Sequence, residues 1–196
     1  MFVDHLSYVG RLQKRPLDTV DLVVIHCTEL PDLATARDYG EKIRHAESNT
    51  GNAGHYYIDR EGRVEEWVPP DRVAHHVRGF NERSLGIELD NPGRFPDWYD
   101  SRSQAMEIPY TAAQLDNLVR LLHVLKKAIP SLACISGHEM LDRERLPASD
   151  RADVQIRRKV DPGPLFPWAR VIAATGLEFM DAPGPRLELV GARPPR

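Results

Sequence analysis

The chain contains several short apolar runs separated by polar or turn-forming residues. One of them, residues 22–25, is uninterrupted between Asp21 and His26, which is typical of a strand buried on both faces. Gly62 separates two further runs and suits the turn of a β-hairpin, because such turns need a positive φ. The predicted strands cover 22–26, 56–60, 63–68, 84–89 and 133–137.

A helical period appears in the second half of the chain, where apolar side chains recur every three or four residues. It predicts an amphipathic helix over 112–129, and Thr111 and Gln114 at its start have the form of a capping box. The apolar stripe consists of Leu115, Leu118, Val119, Leu122 and Leu125. Two further helices are predicted, over 33–47 and over 164–175, the second with Gly176 at its end.

Strands that alternate with helices favour an α/β fold, here a single domain with a central mixed β-sheet flanked by helices. The length of 196 residues suits one such domain. Residues 90–109 show no clear period and form a long loop, and loops of that length often shape a binding site. The predicted divisions are an N-terminal extension (1–19), the domain itself (20–176) and a Pro/Gly-rich tail (177–196).

Charge and composition narrow the classes of partner. The net charge of −3 gives no basic surface for nucleic acid, so we expect no nucleic-acid partner. The two cysteines, Cys27 and Cys134, form no disulfide framework, which fits a reducing compartment. No run approaches the roughly 18 apolar residues of a membrane span, and no apolar export signal is visible. We therefore expect no membrane insertion and a cytoplasmic location.

Two histidines and an aspartate lie at predicted strand ends or turns. His26 and His138 each end an apolar run, and Asp161 precedes a Pro-Gly turn. A His/His/Asp set suits a zinc ion (Zn2+) that keeps its fourth position open for water. Lys159 would add a positive group for a developing oxyanion. Each of these residues taken alone also has an ordinary structural explanation, such as turn chemistry at Asp161.

Cys27 directly follows His26, which raises the alternative of a thiol nucleophile activated by a histidine. Adjacent residues on a strand point to opposite faces, so these two side chains cannot form a nucleophile–base pair. We therefore predict that Cys27 is a small buried core residue.

Four segments together resemble a known family. They are Val24-Ile25-His26-Cys27-Thr28, Ser84-Leu85-Gly86-Ile87-Glu88-Leu89, Gly137-His138 and Lys159-Val160-Asp161-Pro162-Gly163-Pro164. In order and approximate spacing they resemble the type 2 N-acetylmuramoyl-L-alanine amidases, which include the AmpD-like cytoplasmic amidases, phage amidase lysozymes and peptidoglycan recognition proteins. The resemblance covers roughly residues 20–172, and it implies the fold of the peptidoglycan recognition proteins and phage amidases.

The resemblance also implies roles for individual residues. His26, His138 and Asp161 would be the zinc ligands. Glu88 matches an acidic position of the AmpD-like branch and would act as general base, whereas Lys159 matches its catalytic lysine. In the absence of the resemblance, Glu88 would be interpreted as a solvent-facing strand residue.

Substrate contacts are implied less directly. His76 matches a family position, and Arg78 and Asn81 could bind carboxylate and amide groups of a stem peptide. Gly54 stands where phage enzymes and many recognition proteins have a tyrosine, so a tyrosine-assisted mechanism is not expected.

The function implied by the resemblance is zinc-dependent hydrolysis of the amide between the lactyl group of N-acetylmuramic acid and L-alanine. We expect a monomer whose partner is a muropeptide or peptidoglycan and whose role is peptidoglycan recycling. Two alternatives are open: a phage or secreted lysin with the same chemistry, and a non-catalytic peptidoglycan-binding module. The complete ligand set, together with Glu88 and Lys159, favours an enzyme over the binding module.

Overall fold

The computed structural model describes residues 1–181, so most of the predicted tail lies outside the described residues. The strands are β1 (Phe2–Val3), β2 (Leu22–Cys27), β3 (Ile43–His45), β4 (Thr50–Gly51), β5 (Tyr56–Ile58), β6 (Val64–Glu66), β7 (Ser84–Leu89), β8 (Cys134–Gly137), β9 (Arg145–Pro147), β10 (Gln155–Arg157) and β11 (Glu178–Phe179). The helices are α1 (Leu33–Gly40), α2 (Ala112–Ala128), α3 (His138–Leu141) and α4 (Trp168–Thr175). Short 3₁₀ turns lie at Val9–Arg11, Leu17–Thr19 and Asn81–Arg83.

Seven strands form one mixed sheet in the order β1-β6-β5-β7-β2-β8-β11. The buried strand β2 lies between β7 and β8 and is parallel to both. Strand β5 is parallel to β7 and antiparallel to β6, the second strand of the predicted hairpin, and Gly62 in the turn has a φ of 83°. The predicted α/β class with a central mixed sheet is therefore confirmed.

The two faces of β2 have different neighbours. Ile25 and Cys27 belong to the main hydrophobic core, which also contains the buried leucines of α2. Val24 points to the other face and packs in a small cluster with Val77. Because strand side chains alternate, His26 shares the face of Val24, and the core position of Cys27 confirms that the two do not form a nucleophile–base pair.

Helix α2 forms where the sequence predicts it. The Thr111 side chain accepts from the backbone N–H of Gln114, whose side chain reaches back to the Thr111 N–H, so the predicted capping box is present. The four leucines at 115, 118, 122 and 125 are buried against the sheet. Among residues 1–181 no helix is both long and apolar enough to cross a membrane.

Two helices are shorter than predicted. Helix α1 stops at Gly40, a poor helix former, and the chain continues as β3 instead of staying helical to residue 47. Helix α4 begins at Trp168, because Pro167 disfavours the helical conformation of the residue before it. Gly176 ends α4 with a φ of 61°, as predicted.

The sheet extends beyond the domain limits of 20 and 176 that the sequence suggests. Strand β1, from the predicted N-terminal extension, is parallel to β6, and β11, from the predicted tail, is parallel to β8. Both ends of the described chain thus add edge strands to the same sheet. The limits 20–176 stay a prediction for the segment that carries the chemistry.

His55 is fully buried beside β7 in a site built for a neutral imidazole. The Gly86 N–H donates to Nδ1 at 3.0 Å, so the ring proton is on Nε2, which donates to the Arg72 carbonyl at 3.0 Å. Arg15 Nη2 lies 2.9 Å from Nε2. Burial and the nearby Arg15 charge lower the pKa of His55 to about 3.

We expect His55 to make the protein acid-sensitive. The unfolded chain binds a proton at His55 below its ordinary pKa of about 6.5, whereas the folded chain does so only near pH 3. Between these limits, His55 should lower the free energy of unfolding by about 1.4 kcal/mol for each unit by which the pH is lowered. Denaturant unfolding at pH 7, 6 and 5 measures the slope. His55→Gln should flatten it, and equal slopes in the two proteins would contradict the assignment.

Candidate metal centre and cavity

Three parallel strands bring the predicted chemistry to one edge of the sheet. His26 in β2 is the register partner of Glu88 in β7, and His138 directly follows β8 as the first residue of α3. The carboxyl ends of these strands lie side by side, which is where open α/β sheets place their sites. Asp161 reaches the same point from the turn that precedes Gly163.

The three predicted ligands converge. His26 Nδ1 lies 3.0 Å from His138 Nδ1 and 3.0 Å from Asp161 Oδ2, and His138 Nδ1 lies 3.1 Å from the same carboxylate oxygen. All three residues are buried, with exposed fractions of 2%, 4% and 2%. Their ligand atoms lie within 4.8 Å of one another, although they come from three separate segments.

This donor set fits a zinc ion. Two imidazole nitrogens and a carboxylate oxygen are ligands that zinc prefers. Asp161 Oδ2 lies between the two imidazole nitrogens, and the other oxygen, Oδ1, is buried with no hydrogen-bond partner among residues 1–181. Burial opposes ionisation of Asp161, but the two histidines and Lys159 outweigh it and hold its pKa well below its usual range. Burial also lowers the pKa of His138, which favours the neutral imidazole that metal binding needs.

Glu88 stands beside the ligands. Its Oε1 lies 4.0 Å from His26 Nδ1, and its side chain is 15% exposed, towards the cavity. Burial raises the pKa of Glu88 to about 7, with His26 and Lys159 opposing and Asp161 assisting the shift. A bound cation would lower this value. A carboxyl group that titrates near or somewhat below neutrality suits a general base.

Lys159 lines the same cavity and is half-buried. The backbone before it is held by Arg94, whose Nη1 donates to the Arg157 carbonyl at 3.2 Å and whose Nη2 donates to the Arg158 carbonyl at 3.3 Å. Arg94 also makes two hydrogen bonds to the Glu29 carboxylate, at 2.6 and 2.9 Å. The loop 90–109 thus supports the segment that carries Lys159, a role that the sequence left open.

Removal of Arg94 should destabilise the fold strongly. Its side chain is 1% exposed, so Arg94→Ala would leave the Glu29 carboxylate buried without its partner, which typically costs about 3–5 kcal/mol. Urea unfolding measures the change. The matched control is Arg102→Ala in the same loop, where the arginine is 80% exposed and its removal should have little effect. Similar stability losses in both variants would contradict this interpretation.

The predicted substrate contacts line the cavity, but much of their hydrogen-bonding capacity is used inside the protein. Both ring nitrogens of His76 have protein partners, and burial lowers its pKa well below the usual range. Asn81 Oδ1 accepts from the backbone N–H groups of His76 and Val77. Arg78 pairs with Glu144 at the surface. Substrate contact by His76, Arg78 and Asn81 stays a prediction.

The cavity has a volume of about 750 Å³, within the usual range for small-molecule sites. Its walls beyond the ligands include aromatic and basic side chains that the sequence did not single out: Tyr39, Arg44, Trp98, Tyr99 and Arg158. Trp98 and Tyr99 come from the loop 90–109. Aromatic residues in so long a loop are the sequence feature that could have indicated this cavity wall. The cavity therefore combines a polar reactive end with aromatic and cationic surfaces.

Comparison with known families supports the resemblance that the motifs suggest. A family model described as N-acetylmuramoyl-L-alanine amidase matches residues 16–164. The 1,6-anhydro-N-acetylmuramyl-L-alanine amidase AmpD of Enterobacter cloacae is 31% identical over 122 residues, which cover 58% of this chain and 51% of that protein. This chain spans about half the length of the curated relatives it matches.

Solved structures share the fold. A crystal structure of AmpD superposes with a TM-score of 0.59 at 24% identity and covers 88% of this chain and 93% of that one. The amidase AmiD from E. coli, solved in complex with its substrate anhydro-N-acetylmuramic acid-L-Ala-D-γ-Glu-L-Lys, has a TM-score of 0.56 at 23% identity. That match covers 82% of this chain and 58% of AmiD.

Proposed function

Because this chain belongs to the N-acetylmuramoyl-L-alanine amidase family, we propose that it hydrolyses the amide bond between the lactyl group of N-acetylmuramic acid and L-alanine of the stem peptide. The observation that carries the proposal is the convergence of His26, His138 and Asp161. Glu88 and Lys159 line the same cavity, so one cavity contains the groups that amide hydrolysis requires.

The chemistry divides among these groups. When bound, zinc would polarise the scissile carbonyl and lower the pKa of the attacking water. Glu88 accepts the proton of that water and passes it to the leaving alanine nitrogen, so the amide C–N bond breaks with a neutral amine as the product. The Lys159 ammonium stabilises the negative charge that develops on the carbonyl oxygen. His26, His138 and Asp161 would hold the ion.

Lys159→Ala should lower kcat by about 100- to 1000-fold with little change in KM, because the ammonium acts on charge that exists only in the transition state. Lys159→Arg should restore part of the rate, since it keeps the charge but replaces a compact ammonium with a wide planar group. Steady-state kinetics on a muropeptide measure both variants. A normal kcat in Lys159→Ala would remove the lysine from the mechanism.

For the substrate class, we propose soluble 1,6-anhydromuramyl peptides and a recycling role in the cytoplasm. The support is the relative named 1,6-anhydro-N-acetylmuramyl-L-alanine amidase and the anhydro substrate bound to AmiD. The size of the cavity, about 750 Å³, also suits a sugar with a short peptide.

Paired rate measurements test the recycling role. The zinc-loaded protein should cleave 1,6-anhydromuramyl tripeptide far faster than intact sacculi at matched stem-peptide concentration. Comparable rates on the two substrates would instead indicate a lysin. Binding of both without release of any peptide would indicate a non-catalytic module. His138→Ala is the control for cleavage that does not depend on the metal site.

A further inference from the structure

A chain of hydrogen bonds runs from the metal site into the sheet. His26 Nε2, the nitrogen that faces away from the other ligands, lies 2.9 Å from His76 Nδ1. His76 Nε2 lies 3.1 Å from Ser84 Oγ, and the Ser84 hydroxyl donates to the Phe80 carbonyl at 2.8 Å. This series of hydrogen bonds therefore ends on a backbone oxygen, which can only accept.

The Phe80 carbonyl at this end determines which atom donates in the preceding hydrogen bonds. Because the Ser84 proton is used on the Phe80 carbonyl, Ser84 Oγ accepts from His76 Nε2–H. A neutral imidazole has one N–H, so His76 Nδ1 must accept, and its donor is His26 Nε2–H. A metal ion would be bound by neutral His26, so the Nε2–H that His76 accepts would leave Nδ1, the atom 3.0 Å from Asp161 Oδ2, as the metal-binding nitrogen.

Strand β7 is shaped to hold the His76 ring. A Cβ at Gly86 would lie 2.7 Å from Cγ and Nδ1 of His76, closer than any side chain tolerates, so only glycine allows the ring to rest on the strand. Ser84, Gly86 and Glu88 alternate onto one face of β7. Asn81 Oδ1 accepts a hydrogen bond from the His76 backbone N–H at 3.0 Å. On one face of β7, the Ser-x-Gly-x-Glu pattern thus supplies the Ser84 hydroxyl, the space that Gly86 leaves for the His76 ring, and the proposed base Glu88.

We propose that His76 and Ser84 are positioning residues that hold His26 in its Nε2–H tautomer and so keep Nδ1 free to bind the metal. His76 then acts through His26 and not through direct contact with substrate. Ser84 is fully buried, so its hydroxyl cannot contact substrate and acts on the site through the imidazole that it binds. Partners of this kind orient metal ligands and set their tautomers in other proteins. The inference rests on the metal site of the proposed function.

Zinc affinity is the first test. Ser84→Ala and His76→Ala should each weaken zinc binding by roughly 10- to 100-fold in a competition titration with a chromophoric chelator. Ser136→Ala is the matched control: Ser136 is equally buried in β8, on the other side of β2, and its hydroxyl donates to the Met180 carbonyl at 2.6 Å without touching a histidine. Its zinc affinity should stay at the wild-type value.

The outcomes separate the inference from the proposed function. Wild-type zinc affinity in both variants, with a raised KM for His76→Ala, would overturn the positioning role and make His76 a substrate contact. An equal loss of affinity in Ser136→Ala would assign the effect to sheet stability instead. A wild-type protein that binds no zinc would refute the metal site itself.

The hydrogen bond from His26 to His76 can be measured directly and without an activity assay. Heteronuclear NMR of the imidazole nitrogens in the zinc-loaded protein should show a proton on His26 Nε2 that exchanges slowly with water. In Ser84→Ala that proton should exchange faster, while the backbone spectrum stays that of the folded protein. A wild-type zinc complex in which His26 Nε2 carries no proton would overturn the inference.

Discussion

Glu88→Gln should lower kcat by about two to four orders of magnitude while zinc stays bound. The amide has the shape of the carboxylate but cannot accept the proton of the attacking water. Glu88 Oε1 lies 4.0 Å from His26 Nδ1, close to the ligands but outside the group that converges on the metal position. KM should therefore change little, because the lost interaction belongs to the transition state.

Steady-state kinetics together with zinc analysis of the same samples check this result. Glu178→Gln is the control, since Glu178 lies in an exposed position of edge strand β11 in the same sheet and away from the cavity. It should keep the wild-type rate. If Glu88→Gln kept most of its activity with zinc bound, Glu88 would be structural and another base would be needed.

Asp161→Ala should abolish zinc binding and activity together. Asp161 Oδ2 contacts both histidines, and no other carboxylate lies within this group of ligand atoms in residues 1–181. Its removal leaves two imidazoles, a set that is too small for a stable zinc site. Elemental analysis after dialysis against zinc, followed by a muropeptide assay, measures both effects on one sample.

Asp116→Ala serves as the control for loss of an aspartate, because Asp116 lies on the surface of α2 and pairs with Arg170. It should bind zinc as the wild type does. An Asp161→Ala protein that kept full zinc content would contradict the ligand assignment, whatever its activity.

Local features of the fold could be predicted from the sequence. The alternation of side chains along a strand predicts that His26 and Cys27 lie on opposite faces of β2. The capping-box residues Thr111 and Gln114 predict where α2 begins. Both signals depend on residues a few positions apart. The end of α1 was harder to predict, because the charged and apolar residues up to position 47 also fit a helix, whereas the chain leaves it at Gly40 to pair β3 with β4.

The site could be predicted only in part. His26 is 112 residues from His138 and 135 from Asp161, so periodicity cannot show that they meet; the family resemblance supplied that expectation. The support of Lys159 by Arg94 and the contact of His76 with Ser84 were missed. Such contacts join distant polar side chains through their exact geometry in the fold, and neither spacing nor composition reports them.

The most direct test of the proposed amidase activity is product analysis in water enriched with heavy oxygen. The zinc-loaded protein is incubated with synthetic 1,6-anhydromuramyl tripeptide, and the products are identified by mass spectrometry. We predict a free tripeptide without label and an anhydromuramic acid whose new lactyl carboxylate carries one labelled oxygen, with neither product formed by His138→Ala. Cleavage at another bond, label in the peptide, or intact substrate after incubation with the zinc-loaded protein would contradict the proposed function.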